Sequence, residues 1–549
     1  MSPDAAALVR AKWQTTLFGT VNRAALAGCT ANWPLHPIGV RVHRNHGFEP
    51  VSSATYAFAA WNGVDYAWSI GAYDDSLAFG VAGAADVDVV WLDMARLQSD
   101  VPAAWLPERL RALRGATDNP ILTLAWPLSP RQRDALANAR IPGMTVVDLD
   151  PLAASLGERW LDERTQAISG TRLSNSACLH VARALACQWL PAIAGPPRKA
   201  IAVDLDGTLY RGVLGEDGPS GVVLTHGHSA LQSRLRALRE DGMLLALVSR
   251  NEPADVEALF ATRRDFALKL QDFSAVEVSW DEKPRALARA CDAMRIGADA
   301  VVFIDDNAGE LAAVASCLPA LTLHAREDAT ETLAALEHVA GVFRFGMRRE
   351  DRLRADDLRA ATARHALEQS TLSSDAYLRS LDVRLDYALD RGAHLARMAE
   401  LSAKTNQFNL ALRRMTEAAL ARTLADENTV VVTIGLSDRL ADSGIVGLVV
   451  GRKDGDAMRI EELCVSCRAL GRRIEDTMLT QALLLMARAW TPQRVVFSVR
   501  TGPRNAPARD WLARYAGLSV DDEATEVHVP FARIAASELS PAIGIRVAA

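Results

Sequence analysis

Short apolar runs alternate with amphipathic stretches along most of this chain, and the alternation predicts three α/β regions. In the first, apolar runs at 88–92, 120–125 and 143–148 are separated by helical patterns at 107–114 and 130–139, the order expected of an α/β domain with parallel strands. A helix over 174–190 leads to Ala194-Gly195-Pro196-Pro197-Arg198-Lys199, where a proline pair stops helical structure and the apolar run 200–203 begins. Strand candidates then recur at 201–204, 244–249, 275–279, 301–305 and 321–324, with helices between them. In such a doubly wound pattern the chemistry sits at the carboxyl ends of the strands. Residues 347–370 are charged and helical and read as a connecting helix. The third region predicts a strand over 381–387, a helix over 394–403, strands over 429–433, 445–452 and 458–466, and an apolar helix over 475–489. The expected organisation is three α/β domains, at 1–195, 196–346 and 373–549, with the connecting helix at 347–372.

Composition narrows the class. The 549 residues are 49% hydrophobic and 23% charged, a globular balance too long for one ordinary core. A net charge of −6 gives no reason to expect nucleic acid or an anionic membrane as partner. No apolar run approaches the ~18 residues that span a bilayer, and the first residues, MSPDAAALVRAKWQ, lack a continuous apolar core of a signal peptide. Seven scattered cysteines suit reduced thiols in a cytoplasmic protein.

The clearest chemistry is Asp204-Leu205-Asp206-Gly207-Thr208. Two carboxylates two residues apart, just past an apolar strand, point the same way along the pleat. A glycine that permits a tight turn and a hydroxyl able to bind an oxyanion follow. Paired like charges call for a cation, and oxygen ligands suit Mg2+. Ser249 ends the run 244–248, Lys283 offers a positive charge, and Asp305-Asp306-Asn307 closes the run 301–304. Alone, each has an ordinary structural explanation; in this order, on successive strands, they fit a phosphoryl-transfer site.

These motifs resemble the haloacid dehalogenase (HAD) superfamily of aspartyl-phosphate phosphotransferases over about 198–325. The resemblance implies that Asp204 is the nucleophile and Asp206 the general acid/base. Ser249 and Lys283 would steady the phosphoryl group, Thr208 and Asn251 would contact substrate, and Mg2+ would be held by Asp204, the Asp206 carbonyl and Asp305, with Asp306 in support. The intervals 207–248 and 250–282 leave no room for a large cap, so the site would admit bulky or protein-tethered substrates.

Further motifs extend the likeness. Leu209-Tyr210-Arg211-Gly212-Val213-Leu214-Gly215-Glu216-Asp217-Gly218, Ser249-Arg250-Asn251-Glu252, Lys404-Thr405-Asn406-Gln407-Phe408-Asn409 and Ser466-Cys467-Arg468-Ala469-Leu470-Gly471-Arg472 together resemble the FkbH-like family of polyketide pathways, across essentially the whole chain. Many relatives carry Asn for Gly207, Trp for Tyr210 and Lys for Arg250. The family implies a glyceryltransferase/phosphatase that takes the glyceryl unit of 1,3-bisphosphoglycerate, dephosphorylates it and loads it onto an acyl carrier protein. It also implies an SGNH-hydrolase-like N-terminal domain, here read as scaffold or docking module.

The third region is similar to the N-acetyltransferase-like (GNAT) fold, in which backbone N–H groups at a helix start cradle a pyrophosphate. Arginine stands where cofactor-binding members usually carry another glycine, which favours a carrier's phosphopantetheine arm over acetyl-CoA. Cys467, expected at that helix start beside Arg468 and Arg472, has the setting of a nucleophile, and the two arginines are expected to contact substrate. Plain packing, or a redox or zinc role with Cys464, are its alternatives. Lys404, Asn406, Gln407 and Asn409 either cap the preceding helix or line an acyl pocket. Asp75-Ser76-Leu77 imitates both a carrier attachment site and a GDSL serine without the preceding glycine. His226-Gly227-His228 reads as a polar turn before a helix, and the tryptophans over 61–68 as core. Two rival functions stand beside the family reading: a phosphatase with a purely structural third domain, and a non-catalytic docking protein.

Overall fold

The computed structural model describes all residues except 81–82, 98–100, 196–197, 347–348, 370–373, 519–522 and 549. The Pro196-Pro197 pair, where the sequence places a boundary, lies outside the described residues. The chain divides into two compact units, Met1–Met347 and Arg348–Ala549.

The first unit holds two parallel sheets. One comprises β1 (His36–Arg44), β2 (Val64–Tyr73), β3 (Val87–Asp93), β4 (Ile121–Trp126) and β5 (Met144–Asp148), ordered β2-β1-β3-β4-β5. β1 and β2 are additions to the predicted strands. β1 escapes a hydropathy reading because its sequence, HPIGVRVHR, is punctuated by Arg41 and His43. Both are buried against Asp88 of β3, at 2.6 and 2.9 Å, and Thr117 and Asn119 donate to the same carboxylate. A fully hydrogen-bonded ion cluster can occupy a core that a lone charge cannot.

The helix expected over 174–190 runs further, as Asn175–Ala184, a π-turn at Leu185–Trp189 and Leu190–Ala194. By length and composition alone Asn175–Ala194 could cross a membrane, which corrects the expectation that no run is long enough. Val181, Ala182, Leu185, Cys187 and Leu190 are buried in the unit's core, so internal packing accounts for its apolarity.

The second sheet comprises β6 (Ala200–Val203), β7 (Leu244–Ser249), β8 (Ala275–Val278), β9 (Val301–Asp305) and β10 (Leu321–His324), all parallel, ordered β10-β9-β6-β7-β8. Every residue of β6, β7 and β9 is buried, the pattern of central strands covered on both faces. The helix Pro3–Phe18 packs against the helix Ala308–Cys317 of this second fold. His226 and His228 lie inside the helix His226–Glu240, not in a turn before it. Thr225 caps that helix, and its hydroxyl contacts His228 Nδ1 at 2.6 Å, so they form no metal pair.

The second unit is built on a seven-stranded sheet of β11 (Arg384–Leu389), β12 (Thr429–Ser437), β13 (Asp442–Asp454), β14 (Ala457–Val465), β15 (Arg494–Ser498), β16 (Glu526–Pro530) and β17 (Gly544–Val547), ordered β16-β15-β14-β13-β12-β11-β17. It is antiparallel except for β14–β15 and β11–β17. The strand predicted over 381–387 starts later, because Ser374–Leu381 is helical and Asp382 takes a positive φ of 50°. The helix Arg349–Gln369, expected only to connect, is anchored in this unit. Asp357 and Arg364, both buried, join Asp438, Ser443 and Arg472 in one ionic network. The fold class is α/β throughout.

Candidate phosphoryl-transfer site

The carboxyl ends of β6, β7 and β9 converge on one point. Asp204 follows β6, and its N–H donates to Ile304 O at 3.0 Å. Asp305 ends β9, Ser249 ends β7, and Lys283 opens the helix Lys283–Ala293. Lys283, 3% exposed, reaches across with Nζ 2.5 Å from Asp204 Oδ1, 3.1 Å from Asp305 Oδ2 and 2.8 Å from Val248 O.

One lysine serves three carboxylates. Asp204, Asp305 and Asp306 each present an oxygen within 4.8 Å of the others. Burial, with Asp305 adding to it and Lys283 opposing, pushes the Asp204 carboxyl up to about 6. Burial raises Asp305 and Asp306 as well. For Lys283, burial alone would lower the pKa, but Asp204 and Asp305 outweigh it and raise it. Thr208 Oγ1 is also buried with no hydrogen-bond partner among the described residues. An all-oxygen donor set with excess negative charge fits a hard divalent cation such as Mg2+.

Asp206 is held rather than crowded. Tyr210 donates its hydroxyl to Oδ1 at 2.6 Å, the Leu214 N–H donates to Oδ1 at 2.9 Å, and Asn251 Nδ2 donates to Oδ2 at 2.9 Å. Asn251 also donates to Ser249 Oγ at 3.0 Å, which ties the serine at the end of β7 to the Asp206 carboxylate. Tyr210 as a partner of Asp206 is an addition to the predicted set; its spacing, four residues on in the same turn, was its one sequence signal. Gly207 has φ 65°, and a Cβ there would lie 2.2 Å from Asp306 Oδ2, so glycine suits the left-handed backbone and any side chain would have to displace the Asp306 carboxylate. Beyond Asp206 the chain makes a short excursion closed by reciprocal Arg211–Val223 backbone bonds, with no inserted cap domain.

The second unit treats its motif residues differently. Cys467 lies in a turn after β14, eight positions before the helix Glu475–Trp490 (475 − 467 = 8). It therefore does not sit at the helix N-terminus as expected. That terminus already has anions: Glu475 accepts from Gly471 N–H at 2.8 Å, and Asp476 adds a second carboxylate. Cys467 is half-buried, and its neighbour Arg468 is lowered to about 10 by burial first and then by Arg397 and Arg354, against Asp357 and Cys467. Cys464 is fully buried in β14.

Arg472, proposed from sequence to touch substrate, is 4% exposed and paired with Asp357 and Asp438, a structural role. Asn409 is fully buried, donating to Glu462 Oε1 at 2.9 Å, with Ser402 donating to the same oxygen at 2.8 Å. Lys404 pairs with Glu400 at 3.0 Å, Asn406 accepts from Arg414 at 2.5 Å, and Gln407 is exposed. Glu462, which burial raises in pKa, is thus the hub that hydropathy hid inside an apolar strand. The segment 408–410 bonds to β14 through Leu410 N to Leu463 O and Val465 N to Phe408 O, and accepts from Arg500 N at Leu410 O. It fills the gap where β14 runs beyond its pairing with β15.

No family model matches the chain, and no curated protein matches it. Among solved structures, it is similar to the N-terminal part of the protein BF1531 from Bacteroides fragilis, which contains a phosphatase domain complexed with Mg, at 16% identity and a TM-score of 0.46 over 62% of this chain and 98% of that one. It is also similar to a GNAT-family acetyltransferase from Streptococcus pneumoniae, at 14% identity and a TM-score of 0.19 over 26% of this chain and 95% of that one.

Proposed function

We propose that the chain is a Mg2+-dependent glyceryltransferase/phosphatase. It takes the glyceryl unit of 1,3-bisphosphoglycerate, or a related three-carbon acyl phosphate, removes the ester phosphate and loads the acyl group onto the phosphopantetheine arm of an acyl carrier protein in polyketide biosynthesis. The observation that carries the phosphatase half is the convergence of Asp204, Lys283, Asp305 and Asp306 at 2.5–4.8 Å.

Mg2+, held by the Asp204 and Asp305 side chains and the Asp206 carbonyl with Asp306 in support, would neutralise the charge that otherwise keeps a carboxylate from a phosphate. Lys283 holds Asp204 in place and offsets charge on the phosphoryl group. Asp204 attacks phosphorus, the ester P–O bond breaks, and Asp206 gives its proton to the departing alkoxide. Water then attacks the aspartyl phosphate, Asp206 takes its proton, and inorganic phosphate leaves. The acyl-phosphate end is already activated: Cys467 Sγ loses its proton and attacks the carbonyl carbon, and the C–O bond breaks so that phosphate leaves with the electron pair. The carrier thiol then attacks this thioester, the C–Sγ bond breaks and the carrier's proton passes to Sγ. Support for a tethered substrate comes from the absence of an inserted cap and from Trp280. This residue lies between β8 and Lys283, is 68% exposed, and has its indole N–H held by Glu252 at 2.6 Å; tryptophan is enriched at protein interfaces.

A second reading is a phosphatase whose C-terminal unit is only structural. What favours it is the self-satisfaction of Asn409 and Arg472 and the gap filled by 408–410. Intact mass spectrometry of a carrier protein incubated with 1,3-bisphosphoglycerate, Mg2+ and the protein separates the two. A glyceryl adduct, lost in Cys467→Ala while ester phosphate is still released, is the expected result. Phosphate release without any adduct assigns the second reading.

A further inference from the structure

The helix Pro3–Phe18 reaches the strand β10, which flanks the phosphoryl-transfer site. Gln14, on the helix Pro3–Phe18 and 2% exposed, brackets the last residue of β10. Its Nε2 donates to His324 O at 2.8 Å, and its Oε1 accepts from His324 N at 3.3 Å. β10 is an edge strand of the second sheet, so a side-chain amide completes an edge that would otherwise present unpaired peptide groups.

His324 then carries this anchorage inward. Its Nε2 lies 2.8 Å from the carbonyl oxygen of Asp306, and its Nδ1 lies 3.1 Å from Arg326 Nη1. A guanidinium only donates, so Nδ1 accepts and the ring proton is on Nε2, which donates to Asp306. Arg326 is itself fixed by the same N-terminal helix, with Nη2 donating to Ala11 O at 3.1 Å and Thr15 Oγ1 at 2.8 Å. One strand inward, Ala325 N–H donates to Asp305 O at 2.9 Å. Residues 305–306 are therefore held from behind by β10, whose end is set by residues more than three hundred positions earlier (324 − 14 = 310).

We infer that His324 is a positioning residue for the Asp305-Asp306 loop, and that Gln14 and Arg326 clamp it from the N-terminal helix. The inference rests on the phosphatase reading of that loop. Outer partners that orient ligands typically set metal affinity by about 10- to 100-fold, and a ring fixed in one tautomer holds the carbonyl in one direction. Hydropathy could not reveal this, because Gln14 lies 310 positions from His324 and neither belongs to a motif.

The test uses the full chain and Mg2+ alone. Affinity is read from the Mg2+ dependence of the melting temperature, and the tautomer from 15N-labelled histidine spectra. His324→Ala is expected to weaken Mg2+ by about 10-fold, His324→Gln, which keeps a donor, to recover most of the loss, and Gln14→Ala to show a smaller loss. The His324 spectrum should show a protonated Nε2 and a bare Nδ1 near neutral pH, and Arg326→Met should release that preference. A folded His324→Ala with unchanged Mg2+ affinity, or a wild-type ring protonated on Nδ1, overturns the inference. Because these readouts need no turnover, they fail independently of the proposed activity, which fails instead if Asp204→Asn still releases phosphate.

Discussion

Two five-stranded parallel sheets share the first unit, and their carboxyl ends treat charge in opposite ways. At the end of the first sheet guanidinium groups meet the acids: Asp93 takes both ends of Arg172 at 2.7 and 2.9 Å, Glu49 pairs with Arg44 at 2.6 Å, and Arg133 serves Asp148 and Asp150 together. At the end of the second, Asp204 and Asp305 share Lys283, and Asp306 lies within 4.8 Å of both with no ion pair of its own among the described ones. Position at a strand end is therefore not what marks a reactive site, since both sheets offer it. Uncompensated charge marks it: a neutralised cluster is finished, whereas a carboxylate excess has work left for a cation or a phosphoryl group.

The largest expected effect tests the charged end directly. Asp204→Asn removes the proposed nucleophile, and ester phosphate release should fall by about 1,000-fold or more. Chelator should abolish release and added Mg2+ restore it. Mg2+ should also raise the melting temperature of the wild-type protein, because a ligand that binds only the folded state stabilises it; Asp305→Asn should cancel that rise. Undiminished turnover in excess chelator would remove the cation from the comparison.

The neutral end should answer in stability and not in rate. Arg172→Ala strands Asp93, which is 2% exposed, and breaking such a buried pair typically costs about 3–5 kcal/mol. Denaturant melts of the variant should show that loss while phosphate release per folded molecule stays unchanged. A loss of turnover without a loss of stability would make the first sheet a participant in chemistry.

How much of this contrast was legible in the sequence depends on how far apart the partners lie. Asp204, Asp206, Ser249 and Asp305 were readable because each ends or follows an apolar run, so topology alone brings them together. Lys283 stood out only through its order among them. The neutralising pairs were not readable: Arg172 meets Asp93, and Arg41 meets Asp88, across tens of residues, and these same charges disguised β1 as a non-strand. In the second unit, spacing misled. The helix begins at Glu475, where the pattern predicts it, but Cys467 lies eight residues before that start, and Arg472 turns to Asp357 on a helix that reads as a connector. Charge on an amphipathic helix does not say whether its partner is water or a buried arginine.

A third expectation concerns pH. His46, at the carboxyl end of β1, is 1% exposed and stacked on Trp91. Burial, then Arg96, Arg172 and Arg44, lower its pKa from 6.5 to about 3. The unfolded chain therefore binds the proton first. The sign follows: the contribution is complete above pH 6.5 and is lost as pH falls from there toward 3. Between pH 7 and 5 the loss amounts to about 2 kcal/mol. His338, lowered to about 4 mainly by burial, acts in the same direction. Melts of the wild-type protein and of His46→Gln across that range should converge as the pH falls, and parallel curves would show that His46 is already charged or exposed.

The smallest expected effect falls on the residue of the first domain that imitates a catalytic serine by sequence. Ser76 is exposed in a turn just past β2, and its hydroxyl and N–H both donate to Asp74, which also accepts from the Ala78 N–H. Those bonds lower the Asp74 pKa against burial, so the serine spends its hydroxyl on closing an Asx-type turn. Ser76→Ala removes one of three donors to a solvated carboxylate, a change worth about 0.5 kcal/mol or less. Phosphate release, carrier loading and Mg2+ affinity should all match wild type. An ester hydrolysis that disappears with Ser76 in a folded variant would mean that a second active site stands at the end of the first sheet, and that neutral charge there does not exclude nucleophilic chemistry.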